Sequence, residues 1–210
     1  MKDYRVNEFE TPLEKIPEKK QDFLVLFRKK HPRTADVYRH VRENDGEYKR
    51  PFMKIYNDKC AYCGVSLSVL GGHYDYFEID HFIHKKHPQF SSDAEAGSIE
   101  NIVLACHDCN HRKLNYSIPD SIQELVFPDG ESIKSVFTRD NEYTIVVTES
   151  FQDNKDILEF YNKLGLGMTG KQLDYAIMRL LKMQEQTDDP YKRDQLGKII
   201  AVLVGKRSAL

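Results

Sequence analysis

The chain has 210 residues, 40% hydrophobic and 30% charged, with 31 Lys and Arg against 33 Asp and Glu and a formal net charge of -2. This supports one globular core, or a small domain with appendages, and excludes a disordered tail and a globally basic nucleic-acid binder. No apolar run approaches the ~20 residues of a membrane span and the N-terminus lacks an apolar signal core, so the expectation is a soluble, cytoplasmic chain with no membrane association.

Residues 1–59 read as a helical segment. "EKKQDFLVLFRKK" sets Phe23, Leu24, Leu26 and Phe27 among charges, with Pro17 before it and Pro32 after it. "TADVYRHVREN" has Val37, Tyr38 and Val41 at helical spacing, with Thr34 as a candidate N-cap and Gly46 beyond the end. "RPFMKIYNDK" follows, with Pro51 suited to a first turn. The segment carries 15 Lys and Arg against 11 Asp and Glu, a charge that could line a substrate path.

Residues 60–116 hold the chemistry. Cys60/Cys63 and Cys106/Cys109 form two Cys-x-x-Cys units that use every cysteine in the chain. In a reducing compartment such pairs read as metal ligands, and two of them satisfy one tetrahedral Zn2+. "YFEIDHFI" is β-prone, "IENIVLAC" is a short buried strand, "KKHPQFSSDAEAGS" is a polar loop between them, and "HDCNHRKLN" turns helical. If zinc joins the two knuckles, the strands must run back against each other as a hairpin with the helix packed on it. His81 then lies on the first strand and Asn110 at the helix start. An imidazole, the Asp80 carboxylate and an amide oxygen are the groups that metal-assisted phosphodiester hydrolysis needs.

Residues 117–210 form a hairpin and helical segment. "SIKSVFTRDNEYTIVVT" reads as a β-hairpin turning at "RDN". "DNKDILEFYNKLGLG" is a helix with Asp153 as cap. The next opens on Thr169-x-x-Gln172, a reciprocal capping pattern, with Leu173, Ile177, Leu180 and Leu181 as its buried stripe. Asp189 and Pro190 start the last helix and Gly205 ends it.

The ordered array Cys60-x-x-Cys63, Asp80-His81, Asn101, Cys106-x-x-Cys109-Asn110-x-x-Lys113 resembles the HNH endonuclease family with a zinc-stapled ββα-metal core. The fold expectation is therefore α+β: a small ββα-metal core with a structural four-cysteine zinc site, flanked by N- and C-terminal helices and a β-hairpin. The resemblance implies a general base at His81, a catalytic divalent ion on Asp80 and Asn110, and Asn101 tying the connecting loop to orient His81. It also implies a phosphate contact at Lys113. Lys85 and Lys86 are further candidate phosphate contacts, and His84 and His87 are loop histidines beside that path. Asn110 stands where many members carry His; an amide favours Mg2+ or Mn2+ over softer metals. His111 points about 100° away from Asn110 on a helix. The layout is also similar to the nuclease subunit of Septu-type antiviral systems, which implies DNA as substrate and an ATPase partner. The alternative is a non-catalytic, zinc-dependent scaffold that binds nucleic acid or protein.

Overall fold

Ile16, Phe23 and Phe27 are spaced for one helical face, and they sink helix α1 (Ile16–Lys30) into the core of the computed structural model, which describes residues 2–43 and 46–210. Pro17 lies inside the first turn of α1 rather than before it. Lys20 shares the buried face; its ammonium donates to the Ile102 carbonyl at 2.6 Å and pairs with Asp129 at 2.5 Å. The helix expected over 34–44 shortens to α2 (Tyr38–Val41), and Asn44 lies outside the described residues. Thr34 caps nothing there, because the backbone N–H groups of Val37 and Tyr38 both donate to the Gly97 carbonyl, at 2.9 Å each. A tertiary contact thus sets where this helix starts. α3 (Lys49–Ile55) carries Pro51 in its first turn as expected and buries Phe52, Met53 and Ile55.

The ββα unit forms as the cysteine spacing required. β1 (Phe77–His81) pairs antiparallel with β2 (Ile102–Cys106), in a register running from Phe77↔Cys106 to His81↔Ile102. The loop between them contains a helical turn, α4 (Asp93–Ala96), capped by the Ser92 hydroxyl. α5 (His107–Lys113) starts directly after β2 and packs back on both strands.

Beyond the unit come α6 (Gln123–Val126), α7 (Ile133–Val136), and a hairpin of β3 (Phe137–Arg139) and β4 (Ile145–Val147). The expected hairpin is present, but its first run spends Ile133–Val136 on a helical turn. The cap of α8 (Lys155–Lys163) is Asn154, not Asp153: its Oδ1 accepts from the N–H groups of Asp156 and Ile157. α9 (Thr169–Gln186) takes Met168 as its N-cap, and Gln172 donates instead to the Glu142 carbonyl, so the capping pattern read from Thr169 is not used. α9 buries Lys171, Asp174, Tyr175, Ile177 and Met178, while Leu173, Leu180 and Leu181 are half-buried. α10 (Pro190–Ser208) is capped by Asp189 and runs through Gly205. One contiguous cluster of buried side chains extends from Tyr4 to Leu166, with the four cysteines inside it. No helix among the described residues is long and apolar enough to cross a membrane.

Candidate functional site

The first knuckle is a tight turn. The Gly64 N–H donates to the Cys60 carbonyl at 2.9 Å, and the Cys60 N–H to the Val65 carbonyl at 2.9 Å. Gly64 has φ +79°, and a Cβ there would meet the Arg5 carbonyl oxygen at 2.3 Å, so the turn needs glycine twice over. The second knuckle joins the end of β2 to the first turn of α5. All four cysteines are buried and their Sγ atoms lie within 4.8 Å of one another. The Cys63 and Cys106 sulfurs are 3.8 Å apart. A tetrahedron with Zn–S bonds of about 2.3 Å has edges of about 3.8 Å, so the cluster fits zinc. Lys171 of α9 is buried beside the Cys109 and Cys63 sulfurs and pairs with Asp108, supplying positive charge next to the thiolates.

An N-terminal strap holds this centre. Arg5 is 2% exposed and donates from Nη1 to the carbonyls of Ala61, at 2.9 Å, and Pro128, at 2.7 Å. Its guanidinium is clamped by Asp3 at 2.8 Å. Burial pushes the Asp3 carboxyl up, and Arg5 more than reverses this, holding it below the usual carboxylate range.

His81 ends β1 at the wall of an open cavity of about 390 Å³. Its ring stands 4.0 Å from that of Tyr38, and the cavity is further lined by Arg39, Arg42, Asp80, His84 and Lys85. Burial, followed by the charges of Lys113 and Lys85, pushes the His81 imidazole down to about 4. At neutral pH the ring is uncharged and keeps a free acceptor nitrogen.

The strand–helix seam holds the other expected residues. Strand alternation puts Glu78 and Asp80 on one face of β1, and i,i+3 spacing puts Asn110 and Lys113 on one face of α5. The pairs cross in register. The Asn110 amide donates to Glu78, whose other oxygen faces His107 Nδ1 at 2.5 Å. Asp80 accepts from the Tyr62 hydroxyl at 2.6 Å and pairs with Lys113 at 3.0 Å. Burial raises the Asp80 carboxyl despite Lys113. Lys113 also donates to the His81 carbonyl at 2.7 Å, and its side chain is 1% exposed. The expected phosphate contact at Lys113 is therefore replaced by an inward one: the ammonium is spent on Asp80 and on the backbone of His81. Asp80 and Asn110 offer the hard oxygen donors that Mg2+ or Mn2+ takes; here the Asp80 oxygens are engaged by Tyr62 and Lys113, and the Asn110 amide nitrogen is engaged by Glu78.

Asn101 lies where the loop leaves β1. Its Oδ1 accepts from the Ile83 N–H at 2.9 Å, and its Nδ2 donates to the carbonyls of Ile83, at 2.9 Å, and Ala96, at 2.8 Å. Lys85 is 3.6 Å from Asp93 at the cavity edge, and Lys86 is exposed. His87 faces Asp120 at 3.4 Å, and His111 stacks on His107 with centroids 5.7 Å apart.

Sequence reasoning missed Glu78, Tyr38, Arg39 and Arg42. Glu78 was within reach, since it precedes Asp80 by two residues and so shares its face. Tyr38 and the two arginines were not, because the pairing of residues 37 and 38 with Gly97 carries them to the cavity. No curated protein and no solved structure matches the chain. Residues 60–115, the stretch that builds the thiolate cluster, the hairpin and the His81 wall, match the family model of the HNH endonuclease.

Proposed function

We propose that the protein is a metal-dependent endonuclease that hydrolyses DNA phosphodiester bonds at His81. The observation that carries this reading is an uncharged, half-buried imidazole on an open cavity wall, at the end of the first strand of a thiolate-stapled ββα unit. His81 takes a proton from a water as its oxygen forms the new bond to phosphorus; the P–O bond to the departing oxygen breaks, and that oxygen leaves with a proton from solvent. Asp80 and Asn110 would hold a hard cation, which when bound supplies charge stabilisation for the phosphoryl and leaving oxygens. In this reading Lys113 and Asn101 position rather than touch substrate: one holds the His81 carbonyl, the other fixes the chain two residues further on. The zinc is structural. Work within an antiphage complex beside an ATPase subunit is part of the proposal, and it rests on chain layout alone.

His81→Ala should abolish Mg2+- or Mn2+-dependent plasmid cleavage while zinc content and thermal unfolding stay those of the parent. Undiminished cleavage by this variant would reject the assignment. One observation favours the non-catalytic scaffold instead: Asp80 is already a buried, fully bonded partner of Tyr62 and Lys113. That reading predicts no cleavage by the parent with any divalent ion, with or without an ATPase subunit, and saturable binding to nucleic acid or protein.

A further inference from the structure

Within the matched segment the cations near His81 are Lys113 and Lys85. Lys113 is buried, and Lys85 lies beside Asp93. Another part of the cavity wall is formed by α2 and the residue that follows it, which lie outside the matched residues. Arg39 and Arg42 stand there on the cavity wall, and both are exposed. Among the described residues neither guanidinium forms an ion pair, although Asp36 also lines the cavity and its Oδ1 accepts the backbone N–H of Arg39. Arg42 lies 5.6 Å from the centroid of the same Tyr38 ring that packs on His81. Two exposed guanidiniums on the wall of the cavity that the His81 imidazole also lines suit a phosphodiester backbone, because the planar fork of Arg matches two phosphate oxygens. In a chain of net charge -2 they form the local patch that nucleic-acid binding requires.

We infer that Arg39 and Arg42 bind the nucleic-acid phosphates that flank the bond presented to His81, so that the binding site is shared between α2 and the HNH segment. The inference rests on the endonuclease reading for its geometry, but it can be tested apart from it. The full chain is titrated with a fluorescein-labelled DNA duplex, without added Mg2+ or Mn2+ and without chelator, across a series of salt concentrations. Arg39→Gln/Arg42→Gln should weaken binding by about tenfold and lower the slope of log K against log[salt] by about 2, one for each phosphate that is no longer neutralised. Lys155→Gln/Lys163→Gln, which alters the same number of exposed cations on α8, should leave both readings at parental values. In cleavage assays the arginine variant should raise KM and leave kcat within about twofold, as removal of uniform binding does. Parental affinity and slope in the arginine variant, an equal effect of the α8 variant, or no DNA binding by the parent would each overturn the inference. Arginine-dependent binding by a parent that cleaves nothing with any divalent ion, with or without an ATPase subunit, would sink the endonuclease reading and leave the phosphate grip standing.

Discussion

At Lys113 the fold decides between two roles that one residue cannot combine. A lysine that touches phosphate must reach solvent, and this one has its ammonium on the Asp80 carboxylate and the His81 carbonyl. Removing one partner of a buried pair leaves the other charge uncompensated, a loss of about 3–5 kcal/mol. Lys113→Met should therefore lower the unfolding free energy by that amount in denaturant titrations of the substrate-free protein. Parental stability with weakened DNA binding would restore the phosphate role. The same residue shows where sequence reading stops. Position 113 is fixed by its spacing from Cys109, and whether its side chain faces out or in depends on the strand lying under α5. Asp80 is the mirror case: its place beside His81 is legible, and its bond to Tyr62 is not, because Tyr62 enters from the knuckle 18 residues earlier.

The elements show a regular pattern of success and failure. β1, β2 and α5 fall where cysteine spacing and apolar runs put them, because the four thiols join the first knuckle to the end of β2 and the first turn of α5, and β1 then has β2 to pair with. Helix starts are less legible. Asn154 wins over Asp153 because it is the residue whose side chain reaches two free N–H groups, and both residues are good caps by type. Nothing in the sequence pattern announces the N-terminal strap. Residues 3–7 form no regular element, yet Asp3, Arg5 and Asn7 are buried. The Asp3 carboxyl is depressed in the fold, so its contribution to stability is complete above the unfolded value of about 3.9 and is lost as pH falls through the lower folded value. Asp3→Asn should consequently be less stable than the parent at pH 7, and the gap should narrow as pH drops below about 4. Thermal unfolding of both proteins from pH 7 to pH 3 reads this directly. A gap that stays constant or widens in acid would show that Asp3 does not act as a charge.

On the scale of the whole molecule, the metal centre is not an isolated clip. Zinc knuckles in small modules usually staple loops that have little core of their own. Here the four sulfurs are buried inside a cluster that takes in Tyr4 and Val6 from the strap, Phe23 and Phe27 from α1, Phe137 from β3 and Phe160 from α8. The strap bonds the knuckle backbone at Ala61 and Tyr62, and α9 sets Lys171 beside the thiolates. Losing the ion therefore leaves like charges, or poorly packed thiols, at the point where the N-terminal segment, the ββα unit and the C-terminal segment meet. Structural zinc contributes on the order of 10 kcal/mol, comparable to the whole stability of an ordinary domain. Chelation, or Cys60→Ser, should accordingly unfold the chain as one unit. Hydrogen exchange should then rise together in α1, in β2 and in α8, not in residues 60–115 alone. Exchange that accelerates only around the two knuckles, with α1 and α8 still protected, would mean that the flanking segments fold without the HNH unit. Metal would then serve a local clasp and not the common core.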